Sequence, residues 1–315
     1  MLVLLVCIIA LSIGRFHIPF PDVVRALLWF ESTEQQVWNV IFLVRLPRVL
    51  ATMLIGSSLA LSGVVYQSLF RNPLVSQDIL GVSAGATVGA SLAIILGLSS
   101  TLMVFSAFGM GLLSVAITLF LARCLKSTSI ITLVLAGMVV SGLFNSLTGL
   151  MRYLADTEAQ LPAITFWTLG SIARVTRFEL RLVSIPLVIS TICVFLLRWR
   201  LNVLQIDDPN ASSDNRLPKY LLIVFSTVLT ACAVSISGTI SWIGLVIPHI
   251  GRAIVGSDNK KLIPVSALLG CAFLVIIDTL ARNLSGVEIP LSILTGTLGA
   301  PLFIWIIHKY RRWDS

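Results

Sequence analysis

Long apolar runs separated by short polar inserts dominate the chain. Ten stretches approach the length needed to cross a bilayer core, about 20 residues. They are about 1–17, 47–68, 80–98, 101–123, 130–153, 180–198, 219–237, 241–256, 262–284 and 290–309. The runs do not alternate, so they predict helices rather than strands. Lipid admits only helices or closed barrels as spanning structures. The pattern therefore predicts an all-α membrane protein, a polytopic bundle of about ten transmembrane helices forming a single domain over residues 1–315.

Three connections are more than turns. Residues 18–46 contain FPDVVRALLWF, which predicts a short amphipathic helix lying in the interface with Trp29 and Phe30 as anchors. Residues 154–180 are too polar to span and too apolar for a loose loop, and predict a short helix folded over the bundle. Residues 200–218 are the most polar stretch, with turn and cap chemistry at Pro209 and through Ser212, Ser213, Asp214 and Asn215.

Some positions inside the runs carry their own signals. Gly81, Gly85 and Gly89 recur every four residues, a spacing that lets another helix approach closely, either in this chain or along a pathway. Pro248 bends the eighth run and frees a carbonyl, and His249 beside it can donate to that broken backbone. Asp278 and Arg282 are four apart and can face each other, as a structural pair or around a functional carboxylate. Ser141, Asn145 and Ser146 give the fifth run a polar edge that either meets a helix or lines a pathway.

Composition narrows the function. The chain is 57% hydrophobic and 11% charged, against about 25% charged in soluble domains. A net charge of +8 reflects basic loops rather than a nucleic-acid partner. Basic residues are more numerous on the side holding Arg71, Arg123, Arg198, Arg252 and the C-terminal tail, which predicts both termini in the cytoplasm. Arg45, Arg48 and Arg282 then lie outside. The opening MLVLLVCIIALSIG lacks a positive leading segment, so it predicts a first span rather than a cleaved signal. No G-x-x-x-x-G-K-[ST] pattern occurs, so this chain cannot hydrolyse ATP itself. No metal-ligand spacing and no nucleophile–base pair stand out, so neither a catalytic nor a metal residue is assigned. The five cysteines read as small core residues.

Three blocks carry a resemblance. They are RLPRVLATMLIGSSLALSGVVYQSLFRNPLVSQDILGVSAGA, LPAITFWTLGSIAR, and GTISWIGLVIPHIGRAIVGSDNKKLIPVSALLGCAFLVIIDTLARNLSGVEIPLSILTGTLGAPLFIWIIHK. They resemble the FecCD-type permeases, membrane subunits of ATP-binding-cassette (ABC) importers for ferric siderophores, haem or vitamin B12. The resemblance implies a bundle like the vitamin B12 importer permease, in the cell inner membrane. It implies a second permease subunit, identical or not, around a central pathway. It also implies two ATPase subunits, which hold the ATP and magnesium, and an external substrate-binding protein. Arg45, Arg48 and Arg282 match the family's docking arginines. Asp207, Asp208, Ser212, Ser213, Asp214, Asn215 and Arg216 occupy the ATPase-coupling loop, although the family's Gly-Glu-x-x-Ala segment is missing there. Ser127, Thr128 and Ser129 match the inner gate, with Ser141 and Asn145 as further pathway residues. LMRYLADTEAQLPAITFWTLGSI is most similar to the siderophore branch, with haem or vitamin B12 as the alternative cargo. Asp278 motivates a different rival, a carrier driven by an ion gradient.

Overall fold

Helix α4 (Leu46–Leu69) is a post against which several of the other helices pack. The computed structural model describes residues 2–14, 16, 18–28, 34–125, 130–206 and 216–311. Before α4 come α1 (Leu2–Ser12), α2 (Phe20–Leu28) and α3 (Gln35–Trp38). After it come α5 (Val82–Ile95), α6 (Ser100–Cys124), α7 (Ile130–Leu154), α8 (Gln160–Leu169) and α9 (Arg177–Ile206). The chain closes with α10 (Arg216–Ser237), α11 (Ile243–Val255), α12 (Asn259–Asn283) and α13 (Leu291–Arg311). No strand occurs among the described residues.

Each of the ten apolar runs holds a helix, but the helices differ in length. Six are long and apolar enough to cross a membrane: 35–69, 100–124, 130–154, 177–205, 217–237 and 259–283. The apolar parts of α1, α5, α11 and α13 are shorter. Backbone geometry cuts two of them short. Left-handed Gly81 and Gly97 bracket α5, and left-handed Trp242 and Gly256 bracket α11. Trp242 is a costly residue for that conformation. Its ring packs edge-on to Phe303 and over Gly299, where no side chain intervenes.

α4 is apolar all round and buried along most of its length, as a core helix must be. α6, α7 and the middle of α9 are also apolar yet open to the outside. Phe120, Val139, Ile185 and Leu196 are each about two-thirds exposed. Such large apolar surface is a lipid-facing or partner-facing wall.

The connections depart from the sequence pattern in four places. The 18–46 segment is largely helical: residues 39–45 wind as a π-helix that joins α3 to α4 without a break. Pro47 lies where the winding changes from π to α; it has no N–H to give back to the preceding turn, and the helix continues through it. α2 turns Val23 and Ala26, both 0% exposed, onto Ala10 and Ile18 rather than onto lipid. Trp29 and Phe30 lie outside the described residues. α9 runs on through Arg198 and Arg200 to Ile206, about 45 Å at 1.5 Å per residue, well beyond a ~30 Å hydrocarbon core. Its start is a capping box: Thr176 N–H donates to Glu179, Glu179 N–H donates to the Thr176 hydroxyl, and Ser100 donates to the same carboxylate. Finally, the 70–81 connection is only half a surface turn. Arg71 to Leu74 are exposed, whereas Gln77 and Leu80 are buried, and the Leu80 carbonyl accepts from Thr118 of α6 at 3.1 Å.

Candidate functional site

α4 and α12 meet at three depths. At one end, Arg48 of α4 donates to both oxygens of Asp278 on α12 at 2.9–3.1 Å. The same guanidinium reaches Glu288, in the connection after α12, at 2.8 and 2.9 Å. Arg282 approaches Asp278 at 3.3 Å one turn along α12, the facing arrangement its spacing predicts. The Asp278 side chain is 2% exposed, so it is a charge removed from water and held by two arginines. Arg45 is 4% exposed and donates to the carbonyls of Leu11, Ser12 and Phe16. It caps the end of α1, where helical carbonyls lack partners of their own. Arg45, Arg48 and Arg282 therefore all have partners inside the chain.

At mid-length the two backbones touch. A Cβ on Gly56 would overlap the Gly270 carbonyl, and a Cβ on Gly270 would overlap that of Gly56. Gly63 makes a similar approach to Gly244 of α11. At the far end of α4, Ser68 donates to Asn259 at 2.9 Å. Asn259 opens α12 and is 0% exposed; its side chain and backbone N–H both donate to Asn202 of α9, at 2.8 and 2.9 Å. Asn202 in turn donates to Asp258 at 2.6 Å. That bond, with a second from the Lys260 backbone, holds the Asp258 carboxyl below the usual carboxylate range. Arg71, left-handed at φ 48°, donates to the Leu204 carbonyl of α9 at 2.8 Å.

The proline of α11 is matched by a side chain from α4. Pro248 has no N–H for the Gly244 carbonyl. Gln67, 2% exposed, donates to that carbonyl at 3.2 Å and takes a bond from Arg252 at 2.6 Å. His249 instead bonds the Leu245 carbonyl at 2.8 Å and sets its ring edge-on to Phe303. The freed carbonyl thus goes to glutamine rather than to histidine.

The glycine series splits by role. Side chains at Gly85 or Gly89 would run into the Met110 and Ser106 carbonyls of α6, in this same chain. Gly81 precedes α5 in the left-handed region and lies beside Ser141 of α7. Asn145 is exposed on the open face of α7. Ser127, Thr128 and Ser129, and the segment from Asp207 through Asp208, Ser212, Ser213 and Asp214 to Asn215, lie outside the described residues; Arg216 opens α10. No group of acidic, histidine and cysteine side chains fit to hold a metal occurs among the described residues.

Sequence pattern alone missed Glu288, Gln67, Asn202 and Asn259. Gln67 carried a usable signal, a lone amide inside an apolar run. Glu288 and Asn202 lie at the ends of runs, where polar residues are ordinary.

Relatives give this geometry its context. A model of the FecCD transport family matches residues 2–309. The molybdate import system permease of Haemophilus influenzae is 39% identical over 319 residues, covering 99% of this chain and 94% of its own. A probable iron chelatin transport system permease of Helicobacter pylori is 39% identical over 90% of this chain and 87% of its own. The hemin transport system permease of Yersinia pestis is 34% identical over 99% and 96%. A solved metal-chelate-type ABC transporter in an inward-facing conformation superimposes with TM-score 0.87 and 38% identity, covering 98% of this chain and 96% of that one. The chain belongs to the FecCD transport family and is a permease subunit of an ABC importer, not an enzyme.

Proposed function

We propose that this permease carries a ferric siderophore across the cell inner membrane, fed by a substrate-binding protein and driven by two ATPase subunits on separate chains. The observation that carries it is the near full-length match to a metal-chelate transporter at 38% identity, together with the iron chelatin relatives. Molybdate is the second cargo, favoured by 39% identity over 99% of this chain. Haem and vitamin B12 follow from more distant relatives.

The working unit pairs this chain with a second permease subunit, and the exposed face of α7 around Asn145 fits such a seam or the pathway beside it. All ten apolar helices cross, α13 over its full 21 residues. Both termini face the cytoplasm, which puts the Arg48 end outside and the Asn259 end inside. The 207–216 segment meets the ATPase, and 127–129 gates the inner mouth. The binding protein docks at the outer rim through Arg45, Arg48 and Arg282. Their internal partners make docking an exchange, with an incoming carboxylate taking the place of Glu288, whose side chain is 34% exposed, on Arg48.

Deleting the gene and measuring uptake of a radioiron-labelled ferric siderophore and of molybdate tests the cargo. Loss of siderophore uptake with molybdate uptake intact is expected. The opposite pattern would move the assignment to molybdate.

A further inference from the structure

We propose that Asn202 and Asn259 are positioning residues that pass a displacement of the α9 end to α4 and α12, which carry it to the Arg48 end as one unit. This rests on reading the stretch of sequence after α9 as the ATPase contact.

Asn202 lies one helical turn before the end of α9, and the polar 207–215 segment follows directly. Its side chain does not face away from the bundle. Its oxygen accepts two bonds from Asn259, and its nitrogen is given to Asp258. Asn259 is fully buried and receives Ser68 from α4. The two amides therefore tie the ends of three helices into one directional chain of donors and acceptors. Arg71 adds a second tie between the end of α4 and α9, through the Leu204 carbonyl. Polar side chains at such a junction are exacting: each must keep its partner or be left buried without one. A displacement of the α9 end is thereby transmitted to α12 and α4 rather than absorbed by sliding.

Beyond the junction, α4 and α12 have little freedom to part. Their backbones touch at Gly56 and Gly270, and the Arg48–Asp278 pair closes the other end. An amide junction, a backbone contact and an ion pair at successive depths make the two helices a strut. The strut ends at the rim where Glu288 and Arg48 meet.

The test uses the full complex of permease, ATPase and binding protein in nanodiscs, with nitroxide labels at Val287 and Tyr153, both exposed. The distance between the labels is read with and without ATP plus vanadate, and ATP hydrolysis is measured on the same sample. In the wild type, nucleotide should shift the distance. Asn202→Ala should abolish most of that shift while ATP hydrolysis and assembly persist. Asn202→Asp alone sets two carboxylates together and should also lose the shift. Asn202→Asp combined with Asp258→Asn reverses donor and acceptor within the pair and should restore it. A wild-type shift retained in Asn202→Ala, or no rescue by the exchanged pair in an assembled complex, would overturn the relay. A wild type with no nucleotide-dependent shift would remove the ATP-driven premise, and the relay with it.

Discussion

Gln67 of α4 fills the carbonyl that Pro248 of α11 leaves open: its amide lies 3.2 Å from the Gly244 oxygen. Two features that look unrelated in sequence, a lone glutamine and a proline bend, are one arrangement. Gln67→Leu should lower stability by about 1–3 kcal/mol, the cost of an unsatisfied buried polar group. Pro248→Ala returns a backbone N–H to the Gly244 carbonyl, so Gln67→Leu should cost measurably less in that background. Thermal unfolding of the four proteins in the double-mutant cycle checks this. Equal costs in both backgrounds would break the link.

Close backbone approach makes an equally local prediction. Gly56→Ala should destabilise by about 1–3 kcal/mol, because its Cβ has no space beside the Gly270 carbonyl. Gly142→Ala on α7 has nothing within 4 Å and should be neutral or slightly stabilising, since alanine is the better helix former. Melting temperatures that fail to separate the two variants would contradict the packing.

Asp278 distinguishes a structural ion pair from a proton site. Asp278→Asn leaves Arg282 without its carboxylate and weakens the hold on Arg48. Breaking a buried pair costs about 3–5 kcal/mol. The melting temperature should fall, yet ATP-driven uptake by the folded fraction should persist at any pH gradient. A variant of normal stability that has lost dependence on a proton gradient would mark Asp278 as a coupling site instead.

The helices were legible in the sequence because lipid enforces long apolar stretches, and the Asp278–Arg282 pair was legible because four residues is one turn. Contacts across the chain were not. Arg48 meets Glu288 and Asn202 meets Asn259 only after α4, α9 and α12 are packed together, and nothing local to those residues announces it. The α3–α4 join was hidden for another reason: Arg45 and Pro47 resemble the edge of a span, but the arginine is buried against the end of α1. Likeness to the family points to the docking arginines but carries no sign that each already holds a partner within the chain.

Those internal partners give a direct test of exchange at the rim. Glu288→Gln removes the carboxylate that occupies Arg48 and should tighten docking of the binding protein, read by surface plasmon resonance on the nanodisc complex. Weaker or unchanged docking would contradict exchange at this site.

Energy coupling separates an ATP-driven importer from a carrier driven by an ion gradient. The measurement is uptake of the cargo into proteoliposomes containing the permease and ATPase subunits, with the loaded binding protein outside and ATP trapped inside. Uptake should need both ATP and the binding protein and be unaffected by a protonophore. Uptake that proceeds without ATP and collapses when the protonophore is added would contradict ATP-driven import.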